Sequence, residues 1–315
     1  MKRRNLLAAG IAAIIAGAAP ALADYPEKPV TLVIGYAAGG GTDTIARVVA
    51  DEMSKALGQP ITAVNKPGAG GGIAAMQVMR ARPDGYTVLL DPSSSISLNP
   101  KLSDQQNFAP GDFDYVGMIA AFQAALVAPM DRPYDTLEEF VAWARDNPGA
   151  TYAQINPGST MSMDVIETIA GIETRRVPTK GGAGSMNSII AGQVDIGYSG
   201  GIHQRYTDEV KVLAPLVSTR SLTEPDKPTA QELGYPVVLN SNITLAVPKG
   251  TDPAIIAKLA AALETASQTE AVANIGDRLK FPIEFLGPEA ATQEMTAQDA
   301  AYDELIARSK KATDG

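Results

Sequence analysis

Two consecutive strand–glycine loop–helix units, followed at once by a third strand, fill residues 30–90 and limit the fold more than any other feature of this chain. Val30 to Gly35 is a β-branched apolar run suited to a buried parallel strand. Ala37-Ala38-Gly39-Gly40-Gly41 follows it. Ile45, Val48, Val49, Met53, Ala56 and Leu57 then recur at helical spacing and predict a helix from Thr42 to Leu57. Thr42 or Asp43 suits its first turn as a cap, and Gly58 suits the left-handed position after its last. The unit repeats with a strand from Ile61 to Val64, the loop Gly68-Ala69-Gly70-Gly71-Gly72 and a helix from Ile73 to Arg80. Pro83-Asp84-Gly85 signals a turn, and Tyr86 to Leu90 reads as the third strand. Short connections between such units require a parallel sheet with right-handed crossovers.

Beyond Asp91 the rhythm breaks. Pro92 to Ser95 reads as a loop and residues 99–114 as irregular. Tyr115 to Ala120 and Ala124 to Ala128 read as extended, and Thr136-Leu137-Glu138-Glu139 as a capping box opening a helix. A second αβ series spans about residues 150–240, with strands at Thr151–Ile155, Thr174–Val177, Val194–Tyr198 and Val210–Leu216 and helices at Met161–Ala170 and Met186–Ala191. Ile243 to Val247 is a return strand, Asp252-Pro253 opens a long helix, Ile283 to Leu286 is a last short strand, and a closing helix starts at Pro288. The expected fold class is α/β in two lobes, with a mainly parallel sheet in each and a hinge of crossing strands near residues 120–128 and 238–246. Lobe 1 would hold residues 24–122 and 244–315, and lobe 2 residues 123–243.

Residues 1–23 read as a cleavable secretory signal peptide: Lys2, Arg3 and Arg4, an apolar run from Leu6 to Ala19, then Ala21-Leu22-Ala23. The run is short for a membrane anchor, which needs about 20 residues. Arg3-Arg4 also fits the twin-arginine route, but general export is the expected one. Removing three of the 26 basic residues leaves 23 against 35 acidic ones, a net charge of −12. That balance argues against nucleic acid as a partner. It also means that an anionic ligand must be drawn by local groups. The sequence has no Cys and a single His, His203. Thiol chemistry and multi-His metal sites are excluded, no base–nucleophile pair stands out, and neither a metal nor a cofactor is expected.

The two first-lobe loops are the sharpest local chemistry. Each follows a strand and opens a helix, where free N–H groups and a positive dipole end attract anions. Glycine lets an anion approach the backbone. Such loops lie at the carboxyl ends of strands, where open αβ sheets bind ligands. Neither loop completes a Walker or dinucleotide pattern, since Thr42 follows Gly41 without Lys and Ile73 stands where a third glycine is needed. Thr42, Thr44 and Ser93 to Ser95 add hydroxyl donors. In the second lobe, Asn156 to Thr160 and Thr179 to Gly184 also precede helices, with Lys180 a candidate counter-charge. Asp43 suits capping, and Asp195 hydrogen bonding at a strand end.

These segments resemble the solute-binding receptors of tripartite tricarboxylate transporters, the Bug-type periplasmic proteins. The resemblance is carried by Tyr25-Pro26-Glu27-Lys28-Pro29, Ala37 to Asp43 with Ala46-Arg47, Leu57 to Pro60, Asn65 to Gly71, Pro83 to Thr87, Val177 to Gly182 and Gly192 to Asp195. It implies a two-lobed clamshell of the periplasmic binding protein kind, type II-like. It also implies no catalysis and a periplasmic location, with a small carboxylate ligand (a di- or tricarboxylate, an acidic amino acid or an aromatic acid) and two integral membrane subunits as partners of a monomer. Candidate ligand-binding residues are Tyr36, Ala38, Gly39, Gly41, Thr42, Asp43, Gly70, Gly71, Ser93, Ser94, Ser159, Thr160, Thr179, Lys180, Gly181, Tyr198 and Ser199. Gly35-Tyr36 replaces the frequent Pro-Phe. Thr160 and Asp164 replace a glycine and a His. Ser199 stands where an Asp is frequent, which disfavours ligands carrying an ammonium group. An exported receptor feeding a signalling system is the alternative reading, and an exported hydrolase a weaker one.

Overall fold

The computed structural model describes residues 25–313, apart from 103–105, 180, 219 and 222–223. The export segment 1–23 therefore lies outside the described residues. No helix among those described is long and apolar enough to cross a membrane.

Strand β1 (Val30–Ile34) leads into helix α1 (Gly41–Leu57), and β2 (Ile61–Asn65) leads through a short helical turn at Ala69–Gly71 into α2 (Gly72–Met79). Strand β3 (Thr87–Pro92) runs straight into a single helical turn, α3 (Ser94–Ser97), where a loop is expected from the sequence. Three more strands complete the first sheet: β4 (Phe113–Ala121), β10 (Asn242–Pro248) and β11 (Ile283–Leu286), in the order β11-β4-β10-β3-β1-β2. β1 pairs in parallel with β2 and β3, while β10 runs antiparallel to both β3 and β4, and β11 antiparallel to β4. Four strands thus share one direction and two oppose them, so the sheet is mixed.

The second sheet has the order β7-β6-β8-β5-β9, from β5 (Ala125–Pro129), β6 (Thr151–Gln154), β7 (Arg175–Pro178), β8 (Ile196–Ser199) and β9 (Val210–Pro215). Here β5 alone runs against the others. Helices α4 (Leu137–Asp146), α5 (Pro157–Ala170) and α6 (Gly181–Ile190) connect its strands. The chain crosses between sheets at residues 122–124 and returns near residue 241, and the two crossings are tied by the Phe122 amide donating to the Ser241 carbonyl at 2.8 Å.

Two helices start earlier than their apolar rhythm predicts. α5 begins at Pro157, not Met161, because Asn156 and Ser159 close a capping box and proline at the first helical position loses no helical hydrogen bond. α6 begins at Gly181. Helix α7 (Pro253–Ser267) is followed by α8 (Glu270–Leu279), a short amphipathic helix absent from the sequence reading, opened by Thr269 as cap.

Each sheet is covered by apolar clusters on both faces. Ile34, Ile45, Met53 and Leu263 belong to one, and Val33, Ala75 and Phe113 to its opposite. Leu126, Phe140, Tyr152 and Ile166 fill the larger core of the second sheet. The last helix, α9 (Pro288–Thr313), joins the two bodies: Ala291 and Met295 pack in the first, Tyr302 and Leu305 in the second.

Candidate functional site

The loop after β1 is built around a buried acid. Asp43, in the first turn of α1, accepts from the Gly39 amide (2.8 Å) and the Asn65 amide nitrogen (2.8 Å), and pairs with Arg47 (2.9 Å). Burial opposes its ionisation, but the Arg47 guanidinium and the two amides outweigh it and hold its carboxyl below the ordinary range. Asn65 also donates to the Tyr36 carbonyl at 2.9 Å, so the end of β2 fixes the loop after β1. The residue at the cap position of α1 is Gly40, not Thr42 or Asp43, and no side chain caps this helix. Ala38, Gly39 and Gly41 are exposed around that helix start, whereas Thr42 is buried.

The loop after β2 meets the first one through Tyr36. Its phenol donates to the Gly70 carbonyl (3.3 Å) and shares a hydrogen bond with Ser95 Oγ (3.4 Å). Asn99 Nδ2 donates to the same Gly70 carbonyl at 2.6 Å. Gly71, at φ 96°, caps α2 without a side chain. A Cβ on it would lie 2.5 Å from Ser95 Oγ and 2.6 Å from Asp91 Oδ2, so only glycine fits. Asp91 ends β3 beneath both loops, where its Oδ1 accepts from the Gly35 amide at 2.8 Å.

α1 and α2 thus leave their first-turn N–H groups free of side-chain caps. Four other helices do not: Thr136, Asn156, Asp252 and Thr269 cap α4, α5, α7 and α8. The uncapped starts converge on one place, the carboxyl ends of β1, β2 and β3.

The second sheet contributes Tyr198. It lies close enough to Tyr36 to raise the Tyr36 phenol slightly, and burial pushes its own phenol up to about 12. Burial first, then Asp91, raises the Tyr36 phenol well above its ordinary value, so both tyrosines remain neutral hydrogen-bonding groups. The bodies also approach beside them, where a Cβ on Gly201 would lie 3.2 Å from the ring of Phe281, itself packed against Phe122 with ring centroids 4.9 Å apart.

Several candidate residues have their side chains engaged within the fold. Ser159 Oγ accepts from the Ile155 and Asn156 amides and donates to the Asn156 carbonyl. Thr160 donates to Gln154 Oε1 (2.8 Å), and Thr179 Oγ1 to the Gln154 carbonyl (2.8 Å). Ser93 Oγ donates to Gln298 Oε1 at 2.5 Å, linking β3 to α9, and Ser94 Oγ meets Ser241 Oγ at 3.3 Å. Ser199 Oγ accepts from the Gly201 and His203 amides and meets His203 Nδ1 at 2.9 Å. Gly181 starts α6, while Lys180 lies outside the described residues. Sequence reasoning named none of Asn65, Asp91 and Asn99 as a site residue. The available signal was positional: a polar side chain closing a strand at its carboxyl end.

A separate cavity of about 390 Å³ opens between α9 and residues 218–240, lined by Asn240, Gln298, Tyr302 and Arg308 among others. It includes none of the glycine-loop residues, and no uncapped helix start faces it. The glycine loops, where two such starts meet, are the better candidate. No cluster of His, Cys, Asp and Glu able to hold a metal ion occurs among the described residues.

A model of the family described as the tripartite tricarboxylate transporter family receptor matches residues 45–304. The "UPF0065 protein in gbd 5'region" of Cupriavidus necator is 38% identical over 277 residues, covering 82% of this chain and 83% of that protein. Among solved structures, the periplasmic binding protein BugD aligns with a TM-score of 0.76 at 29% identity, over 91% of this chain and 99% of its own. MatC from Rhodopseudomonas palustris, solved with bound malate, aligns with a TM-score of 0.75 at 28% identity, over 90% of this chain and 100% of its own. The fold is that of two-lobed periplasmic binding proteins, and the chain belongs to the tripartite tricarboxylate transporter receptor family.

Proposed function

We propose that this protein is an exported receptor that captures a small organic dicarboxylate between its two lobes and delivers it to the two membrane subunits of a tripartite transporter. One observation carries the reading: two helix starts without side-chain caps converge at the carboxyl ends of β1–β3, in a chain that caps four other helices. The uncapped first-turn amides of α1, with the glycine loop after β2 and the Tyr36 phenol beside them, offer donors to a carboxylate. Malate bound to MatC, which shares this fold and family, supports the ligand class. No step of bond making is involved, in keeping with a family of receptors.

The far side of the cleft narrows the ligand further. Ser199 is buried and paired to His203, whose imidazole burial keeps neutral, so that corner offers an ammonium group no counter-charge. The preferred ligand therefore carries carboxylates and hydroxyls and lacks an amine. Calorimetry on the mature chain should show saturable binding of malate or succinate and little of aspartate. Tight aspartate binding without response to either plain diacid would overturn the ligand class. Native mass spectrometry of protein purified from its source should detect a co-purifying organic acid.

A further inference from the structure

We propose that Asp91, standing between the two glycine loops, is a ligand-selectivity residue: the site accepts a carboxylate anion only while the Asp91 carboxyl carries its proton. The inference deepens the reading of these loops as a carboxylate site and rests on it.

The geometry sets Asp91 apart from the other acids of the chain. Its side chain is fully buried, and Oδ1 accepts from the Gly35 amide, while Oδ2 makes no hydrogen bond of ordinary geometry and has only the Ser95 hydroxyl, shared with Tyr36, near it. Asp43, a few residues beyond the same strand ends, has both oxygens satisfied and an arginine beside it. Asp91 forms no ion pair among the described residues. Both loops are shaped around its free oxygen: a Cβ on Gly35 would lie 2.2 Å from Oδ2, and one on Gly71 would lie 2.6 Å away. The acid is thus enclosed by the backbone that the ligand carboxylate would approach from above.

A buried carboxylate with an empty lone pair and no cation takes up a proton. Burial raises this carboxyl well above its ordinary value, and the Gly35 amide and the Ser95 hydroxyl offset that only in part. Of the elements packed against it, the loop after β1 presents the Tyr36 phenol, itself raised and neutral. The turn at Ala69–Gly71 presents no titratable group, α3 presents Ser95, and Thr244 on β10 lies opposite in register. Asp91 is therefore the group at this floor whose charge can change. Protonated, it leaves an uncharged floor under the amides and a hydroxyl donor. Ionised, it sets a negative charge beneath an incoming anion where little water screens either. A purely structural Asp91 would tie down Gly35 and leave affinity indifferent to pH.

Titration calorimetry of the mature chain with malate and with succinate between about pH 7 and pH 9.5, where both ligands stay essentially fully ionised, separates these. The dissociation constant should hold steady at the acid end and then rise about tenfold per pH unit once Asp91 ionises. Asp91→Asn, which matches the protonated acid in shape and donor, should abolish that slope. A flat wild-type profile, or a slope unchanged in Asp91→Asn, overturns the proposal while the carboxylate site stands. Failure of every diacid to bind at any pH overturns the site itself and this inference with it. Should Asp91→Asn not fold by circular dichroism, carboxyl-carbon NMR of the wild type decides: titration of Asp91 in the ordinary carboxylate range overturns the proposal, and titration above neutrality supports it.

Discussion

His203 is the single histidine of the chain, and it is 2% exposed. Its Nδ1 meets Ser199 Oγ, and burial pulls its pKa down to about 4. The unfolded chain therefore binds the proton first, at an ordinary pKa near 6.5, while the folded chain resists it until about 4. Stability from this group is complete above about pH 6.5 and is lost as pH falls towards 4, by roughly 3 kcal/mol in all. Urea unfolding of His203→Asn should lack that part of the acid loss seen in the wild type. Parallel pH profiles of the two proteins would show that the imidazole titrates normally. Asp43 works in the same direction but lower down: its depressed carboxyl contributes stability above the ordinary carboxylate pKa and loses it only as pH falls below that.

At the scale of the element, helix starts divide into two kinds. Thr136, Asn156, Asp252 and Thr269 each accept from a first-turn amide, which stabilises a helix by about 1 kcal/mol. α1 and α2 forgo this and have glycine at both cap positions. Gly40 has φ −74° and ψ 169°, a conformation open to any residue, and a Cβ there would meet little beyond the Ala37 carbonyl at 3.3 Å. Gly40→Asp should therefore fold with stability within about 0.5 kcal/mol of the wild type, since replacing glycine by a better cap gains only a few tenths. The new carboxylate would occupy the anion's place, and affinity for malate should fall at least about tenfold, equivalent to 1.4 kcal/mol. Calorimetry showing unchanged affinity in a folded Gly40→Asp variant would move the ligand away from α1.

At the scale of the whole molecule, the two bodies are joined by paired crossing segments and by α9, which packs into both cores. Tyr302 shows the tie most directly: fully buried in the second core, it donates to the Asn240 carbonyl of the return crossing. A ligand bridging Tyr36 on one body and Tyr198 on the other adds a further link that only the folded, closed molecule can form. At a hundredfold excess over its dissociation constant, such a ligand stabilises the fold by about 2.7 kcal/mol. Thermal unfolding should shift upward by several degrees with malate, and small-angle scattering should show a smaller radius of gyration. A thermal shift without compaction would mean that the ligand sits on one lobe alone.

The order of elements in the first lobe was legible in residues because each strand, glycine loop and helix there leaves its own local signature in apolar spacing and turn chemistry. The early start of α5 was hidden by Asn156-Pro157-Gly158, which reads as a loop until Ser159 is seen closing the cap from inside. The helix α8 was missed although Val272, Ile275 and Leu279 recur in it at helical spacing and Thr269 caps it. The likeness to the transporter receptor family also rests on local runs of residues, and the chain alone carried it. The partners of Asp91, Ser93 and Ser199 were beyond its reach: Gly35 lies 56 residues from Asp91, and Gln298 lies 205 residues from Ser93. Whether a polar side chain faces a ligand, satisfies a neighbour or is left buried without a partner depends on contacts between distant segments. Only the packed structure brings those segments together, because burial and hydrogen bonding act through space and periodicity acts along the chain.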